Sequence, residues 1–208
     1  NSEQEQSELH QRFGDDAAQL FRQMGCTTTG AMMIVNDTLF VHGGLSKQFI
    51  DIVSKGLNKI LPLRLIVVLV NDILRKYTIY GLENLDKNEQ KILDIIVDKP
   101  GPMWYRGLGR DYNEEQVCEI AEEVLDTGIS NIVIGHTVQP MFITATKCKN
   151  KQIFRIDVGM SFAFGKRQFD ETFVQVLIFN GRDSIHVKYI QGEMIHVREW
   201  DQSVGVWV

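Results

Sequence analysis

The sequence predicts an α/β fold built in layers, and three observations carry that prediction. Ile132-Val133-Ile134 is apolar at every position, as expected of a strand covered on both faces. Residues 46–97 repeat their apolar side chains at helical spacing. The last third is a series of short β-type runs separated by turn dipeptides. A buried strand, crossover helices and terminal hairpins together describe a layered α/β sandwich, and no linker, repeat or low-complexity tract divides it.

In chain order, Leu9, Phe13, Ala17, Leu20, Phe21 and Met24 recur at helical spacing and predict a helix ended by Gly25. Ala31–Val35 and Thr38–Val41 read as two strands joined by Asn36-Asp37, side chains that tolerate the backbone angles of a tight hairpin. Helical stretches follow, around Phe49–Ile60, Leu65–Leu74 and Leu85–Ile96, until Lys99-Pro100-Gly101-Pro102 breaks the pattern. Asn113 before Glu114-Glu115-Gln116 supplies an N-cap and an acidic first turn for a helix to about Leu125, which Gly128 closes. After the apolar strand, β runs are predicted over Met141–Lys147, Ile153–Val158, Val174–Asn180, Ser184–Ile190 and Glu193–Trp200 as antiparallel hairpins.

Composition excludes several classes. A chain of 208 residues with 44% hydrophobic and 24% charged side chains is ordinary for a globular domain, which at this size buries roughly 70% of its unfolded surface. A net charge of -5 argues against a broad nucleic-acid footprint, which needs clustered Lys and Arg. The longest apolar run, Leu65–Val70, falls far short of the ~20 residues that span a bilayer, and the polar start is unlike a secretory signal. Cys26, Cys118 and Cys148 are widely spaced and odd in number, so neither a disulfide framework nor a zinc knuckle is expected, and a reducing, cytoplasmic compartment is.

Chemistry concentrates in three loops. Two place a histidine directly after a β run and beside glycine: Val41-His42-Gly43-Gly44 and Ile134-Gly135-His136-Thr137. Strand ends are where α/β sheets build sites, glycine admits close backbone approach, and neutral imidazole is the commonest nitrogen ligand of metals. The competing reading makes each a hydrogen-bonded strand-end histidine. In the third loop, Trp104-Tyr105-Arg106-Gly107 sets an arginine behind two aromatics, where a packed guanidinium can grip a phosphate or simply form a stacked surface patch.

In combination, Asn36-Asp37-Thr38-Leu39-Phe40-Val41-His42-Gly43-Gly44-Leu45-Ser46, Gly101-Pro102-Met103-Trp104-Tyr105-Arg106-Gly107, Ile132–Thr137 and Ile156-Asp157-Val158-Gly159-Met160-Ser161 resemble the second half of calcineurin-like metallophosphoesterases. Within these the chain is most similar to the Shewanella-like branch of protein phosphatases, over about residues 9–165. The resemblance implies a β-sandwich flanked by helices that holds two divalent ions, manganese, iron or zinc. It implies that His42 and His136 ligate the second ion, that Arg106 clamps the substrate phosphate, and that Asp157 supports the site from behind. The reaction implied is attack on phosphorus by a metal-bridging hydroxide, with a phosphoprotein or other phosphoester as substrate.

The family's Gly-Asp-x-His, Gly-Asp-x-x-Asp and Gly-Asn-His-Glu motifs do not occur, and Gly14-Asp15-Asp16 lies within the first predicted helix. Together with a first residue other than Met, this gives the expectation that residues 1–208 are the C-terminal part of a single metallophosphoesterase domain, inactive alone. A dinucleoside polyphosphate hydrolase and a non-catalytic, phosphatase-like binding module are the alternatives.

Overall fold

A computed structural model of the chain describes residues 30–110, 113–140, 142–159, 174–181, 184–191 and 194–208. The predicted helix over Leu9–Met24, Gly14-Asp15-Asp16, Cys26, Met160 and Ser161 lie outside the described residues.

Among the described residues the fold is mixed α/β, with two sheets and a layer of helices. The first hairpin forms as its turn dipeptide requires: β1 (Met32–Val35) pairs antiparallel with β2 (Thr38–Val41), and Asn36 takes a left-handed φ of 56° at the turn. Next come helices α1 (Lys47–Gly56), α2 (Leu63–Tyr80), α3 (Lys87–Ile96) and α4 (Glu114–Val124). The Asn113 side chain accepts a hydrogen bond from Gln116 N at 2.8 Å, as its N-cap position predicts. α4 ends at Val124, four residues before Gly128, where Leu125 N bonds to the Ala121 carbonyl, so Gly128 is not its cap. No helix among the described residues is long and apolar enough to cross a membrane.

The apolar run becomes β3 (Asn131–Ile134), buried at all four positions. It is the centre of a five-stranded sheet of order β1-β2-β3-β5-β4, in which β4 is Thr144–Lys147 and β5 is Gln152–Arg155. β2, β3 and β5 run parallel, while β1 and β4 are antiparallel edges. Asn131 pins the register at the strand starts: its amide donates to Thr38 Oγ1 at 3.1 Å, and its Oδ1 accepts from Gln152 Nε2 at 3.1 Å. The second sheet is antiparallel, β6 (Gln175–Asn180), β7 (Ser184–Gln191), β8 (Met194–Asp201) and the two-residue β9 (Val206–Trp207).

Side-chain alternation sorts the two interfaces of the central sheet. Leu39, Val41, Ile132, Ile134 and Ile153 pack with Phe49, Ile66 and Val70 in the helix-side core. Phe40, Val133 and Phe154 point the other way, against Ile185, Trp200 and Phe179 of the second sheet. The layers are therefore helices, mixed sheet, antiparallel sheet.

The structure corrects the expectation for cysteine. Cys118 on α4 and Cys148, just after β4, form a disulfide across a separation of 30 residues, with Cα atoms 5.2 Å apart. Helix α4 packs beside β4 and brings together two residues that no local spacing connects. The reducing-compartment reading rested on unpaired thiols and loses that support.

Candidate metal centre

The site lies at the carboxyl ends of β2 and β3. These strands are in register, Val41 opposite Ile134, so His42 follows one directly and His136 follows the other after a single glycine. Gly135 N donates to the His42 carbonyl at 2.9 Å and extends the ladder one rung beyond the strands. The two imidazoles converge: His42 Nε2 and His136 Nδ1 are 3.2 Å apart, with ring centroids at 4.9 Å.

That separation is chemically specific. Two nitrogens bound to one tetrahedral ion at 2.0 to 2.1 Å lie about 3.3 Å from each other, so the pair has the spacing of two ligands on a shared cation. The same spacing suits one N–H···N hydrogen bond. Among the described residues no group of three or more His, Cys, Asp or Glu side chains converges in this way, so the donor set fits two coordination positions of one ion.

His136 is held in a backbone conformation unusual for a side chain with a Cβ, at φ 60°. Such residues cost about 1–3 kcal/mol and concentrate at functional sites. Three contacts fix it: the Gly135 rung, Thr137 N donating to the Gly135 carbonyl at 2.6 Å, and Arg106 Nη1 donating to the His136 carbonyl at 2.8 Å. The Trp104 ring stands edge-on to the imidazole at 5.1 Å and helps to wall it in, and His136 Nε2 is buried with no hydrogen-bond partner among the described residues. Desolvation, then the Arg106 and His42 charges, hold the His136 pKa below the ordinary 6.5, against a smaller opposing pull from Asp157. A neutral ring with a free lone pair is the form that binds a metal.

This shift gives an expected result for the metal-free protein. The unfolded chain takes up the proton first as pH falls, so stability from this group is complete above pH 6.5 and declines through the window below it. In an NMR titration the His136 ring signal should have its midpoint under 6.5, and a midpoint at or above that value would contradict the burial argument.

Arg106 belongs to the same constellation. Its loop is locked to the His42 loop by Gly43 N, which donates to the Pro102 carbonyl at 2.7 Å. A Cβ at Gly43 would stand 3.0 Å from the Pro102 carbonyl oxygen and from Tyr105 backbone atoms, so a larger residue would push on the backbone of the arginine loop. Asp157 is placed differently: its carboxylate accepts from Gly159 N at 3.0 Å and its carbonyl from Gln139 N at 2.7 Å. It shapes its own loop and bonds to neither imidazole.

Two buried side chains that the sequence did not single out hold the loops in place. Gln139 Nε2 donates to the Gly109 carbonyl at 3.1 Å and the Thr137 carbonyl at 2.8 Å, joining the arginine loop to the histidine loop. Arg155 Nε donates to the Leu108 carbonyl at 2.6 Å, and Nη1 to Thr146 Oγ1 at 3.0 Å. A charged residue closing an apolar β run was the available signal for Arg155; Gln139 had none.

Comparison with known proteins gives three low-identity likenesses. An uncharacterized protein of Schizosaccharomyces pombe is 35% identical over 96 residues, 46% of this chain and 27% of its own. Shewanella-like protein phosphatase 1 of Plasmodium berghei is 28% identical over 133 residues, 62% of this chain and 32% of its own. Shewanella-like protein phosphatase 2 of Arabidopsis thaliana is 27% identical over 147 residues, 65% of this chain and 30% of its own. The chain thus spans about a third or less of the curated relatives it matches. No family model matches it, and no solved structure does. Taken together, the two named likenesses support a distant relationship between this chain and the phosphatase family.

Proposed function

We propose that the chain carries part of the active centre of a metal-dependent phosphoester hydrolase, a protein phosphatase of the calcineurin-like, two-metal kind. The observation that supports this best is the pair of imidazole nitrogens 3.2 Å apart, with the Arg106 guanidinium bonded to the backbone of the same loop. Residues 1–208 are read as the C-terminal part of that domain, and a phosphorylated serine, threonine or tyrosine as the substrate.

His42 Nε2 and His136 Nδ1 would each donate a lone pair to the same divalent ion, manganese, iron or zinc. Bound ions of this kind supply Lewis acidity and lower the pKa of coordinated water, and a second one is part of the proposal. Arg106 does the rest that this chain can do. Nη1 is engaged by the His136 carbonyl, which fixes the guanidinium plane while its other N–H donors can meet the non-bridging phosphate oxygens. Rigid donors aimed at developing charge are the largest ordinary source of rate enhancement.

The test is calorimetric titration of the chain with zinc and manganese, beside phosphoester assays of the full-length protein. The chain should bind an ion, and His42→Ala or His136→Ala should weaken binding at least tenfold, as expected when one of few ligands is lost. The chain alone, with two such ligands against the roughly three that a catalytic ion needs, is expected to leave p-nitrophenyl phosphate intact. Binding unaffected by either substitution would remove the metal centre. A full-length protein that turns over only dinucleoside polyphosphates, or nothing at all, would select the alternative hydrolase or the binding module respectively.

A further inference from the structure

A cleft of about 720 Å³ is lined by the Arg106 loop and helix α4. Lys99, Arg106 and Arg110 line one wall, Trp104 contributes an aromatic surface, and Glu119 and Ile120 of α4 form the other wall. We infer that this cleft is a specificity subsite, which takes an acidic stretch of a phosphorylated polypeptide lying next to the phosphate to be removed. The inference rests on the proposed phosphatase reading and names its substrate class.

The chain has 27 acidic residues against 22 basic ones, yet the cleft is lined by three cations and one carboxylate, so the local balance is inverted. The ion pairs among the described residues involve Lys47, Arg75 and Lys76, and none engages Lys99, Arg106 or Arg110. Three cations against one carboxylate in a single concavity raise the local concentration of anions and select against cationic partners.

About 720 Å³ is the scale of a site for a drug-sized ligand, far more than one phosphoryl group fills, so a segment of several residues is the appropriate occupant. Arg106 belongs both to this cleft and, through the His136 carbonyl, to the imidazole pair, so a chain gripped at its phosphate would enter the cleft directly. The opposite wall is firm, because α4 is capped by Asn113 and tied by Cys118 to Cys148. An extended nucleic acid is the poorer occupant, since a long polyanion would meet a chain of net charge -5 beyond the cleft.

The experiment compares two phosphopeptides, identical except that the residues flanking the phosphate are glutamates in one and lysines in the other. With the full-length protein, kcat/KM should favour the acidic peptide by on the order of tenfold or more at low salt, and less at high salt. In the double variant K99Q/R110Q the ratio should fall to about one, and in K99E/R110E it should invert. A second readout needs no turnover: fluorescence anisotropy of a labelled, unphosphorylated Glu-rich peptide should report binding to the 208-residue chain that K99Q/R110Q weakens about tenfold. If the full-length protein hydrolyses no phosphoester, the phosphatase reading fails while the anisotropy still decides the cleft. Equal rates for the two peptides, binding indifferent to K99Q/R110Q, or preferential capture of a single-stranded oligonucleotide would each overturn the inference.

Discussion

Replacing Arg106 by alanine is expected to lower phosphoester turnover of the full-length protein by on the order of a hundredfold, with metal content unchanged. The guanidinium is fixed to the His136 loop: Nη1 donates to the His136 carbonyl and lies 3.5 Å from Thr137 Oγ1. On the proposed reading, truncation would remove a charge-assisted contact to the phosphate that strengthens as negative charge builds up on its oxygens. Because the same guanidinium braces the His136 loop, metal analysis must accompany the kinetics. A fall in turnover at constant metal content locates the loss at the phosphate; a parallel fall in both would make Arg106 a support for His136. Arg106→Lys should recover only a small part, since an ammonium lacks the planar fork that engages two oxygens together. Turnover equal to that of the parent protein would reduce Arg106 to a surface residue.

The second large effect concerns stability. Breaking the Cys118–Cys148 bond, by reduction or by Cys118→Ser, is expected to cost about 3–4 kcal/mol, the loop-closure entropy of a cross-link spanning 30 residues. For a domain of this length that is a drop in Tm on the order of 10 °C. Both ends are anchored in structure, one on α4 and the other beside β4, so little relaxation would absorb the loss. Calorimetry with and without reductant, beside thiol counting on the unfolded protein, decides the matter. Two free thiols at these positions in protein purified under air, or an unchanged Tm on reduction, would refute it.

The sequence made the local parts of this architecture readable. Asn36-Asp37 marked a hairpin because its side chains tolerate the turn, Asn113 marked a helix start because its amide caps one, and Ile132-Val133-Ile134 marked a central strand because no face of it is polar. His42, His136 and Arg106 stood out because glycine and strand ends surround them, and the structure brings all three to one place. What stayed hidden depends on distant pairings. The order β1-β2-β3-β5-β4, the two-residue strand β9, the disulfide and the clasp made by Gln139 are properties of segments that meet only in the fold. Cys118 and Cys148 look like isolated thiols until α4 lies against β4, and Gln139 looks like an ordinary loop residue until two backbone carbonyls converge on it.

The in-phase pairing of β2 with β3 also has a kinetic meaning. Thr38 and Asn131, the first partners of that ladder, are 93 residues apart, so a long loop must close before His42 and His136 can approach each other. A slip by one residue along the ladder would reverse which face each side chain occupies and part the two rings. The imidazole pair therefore exists only when the sheet is assembled in the right phase. If the proposed metal centre holds, an ion added during refolding would find its two nitrogens only after that step, and the appearance of bound metal would then be a clock for completion of the central sheet.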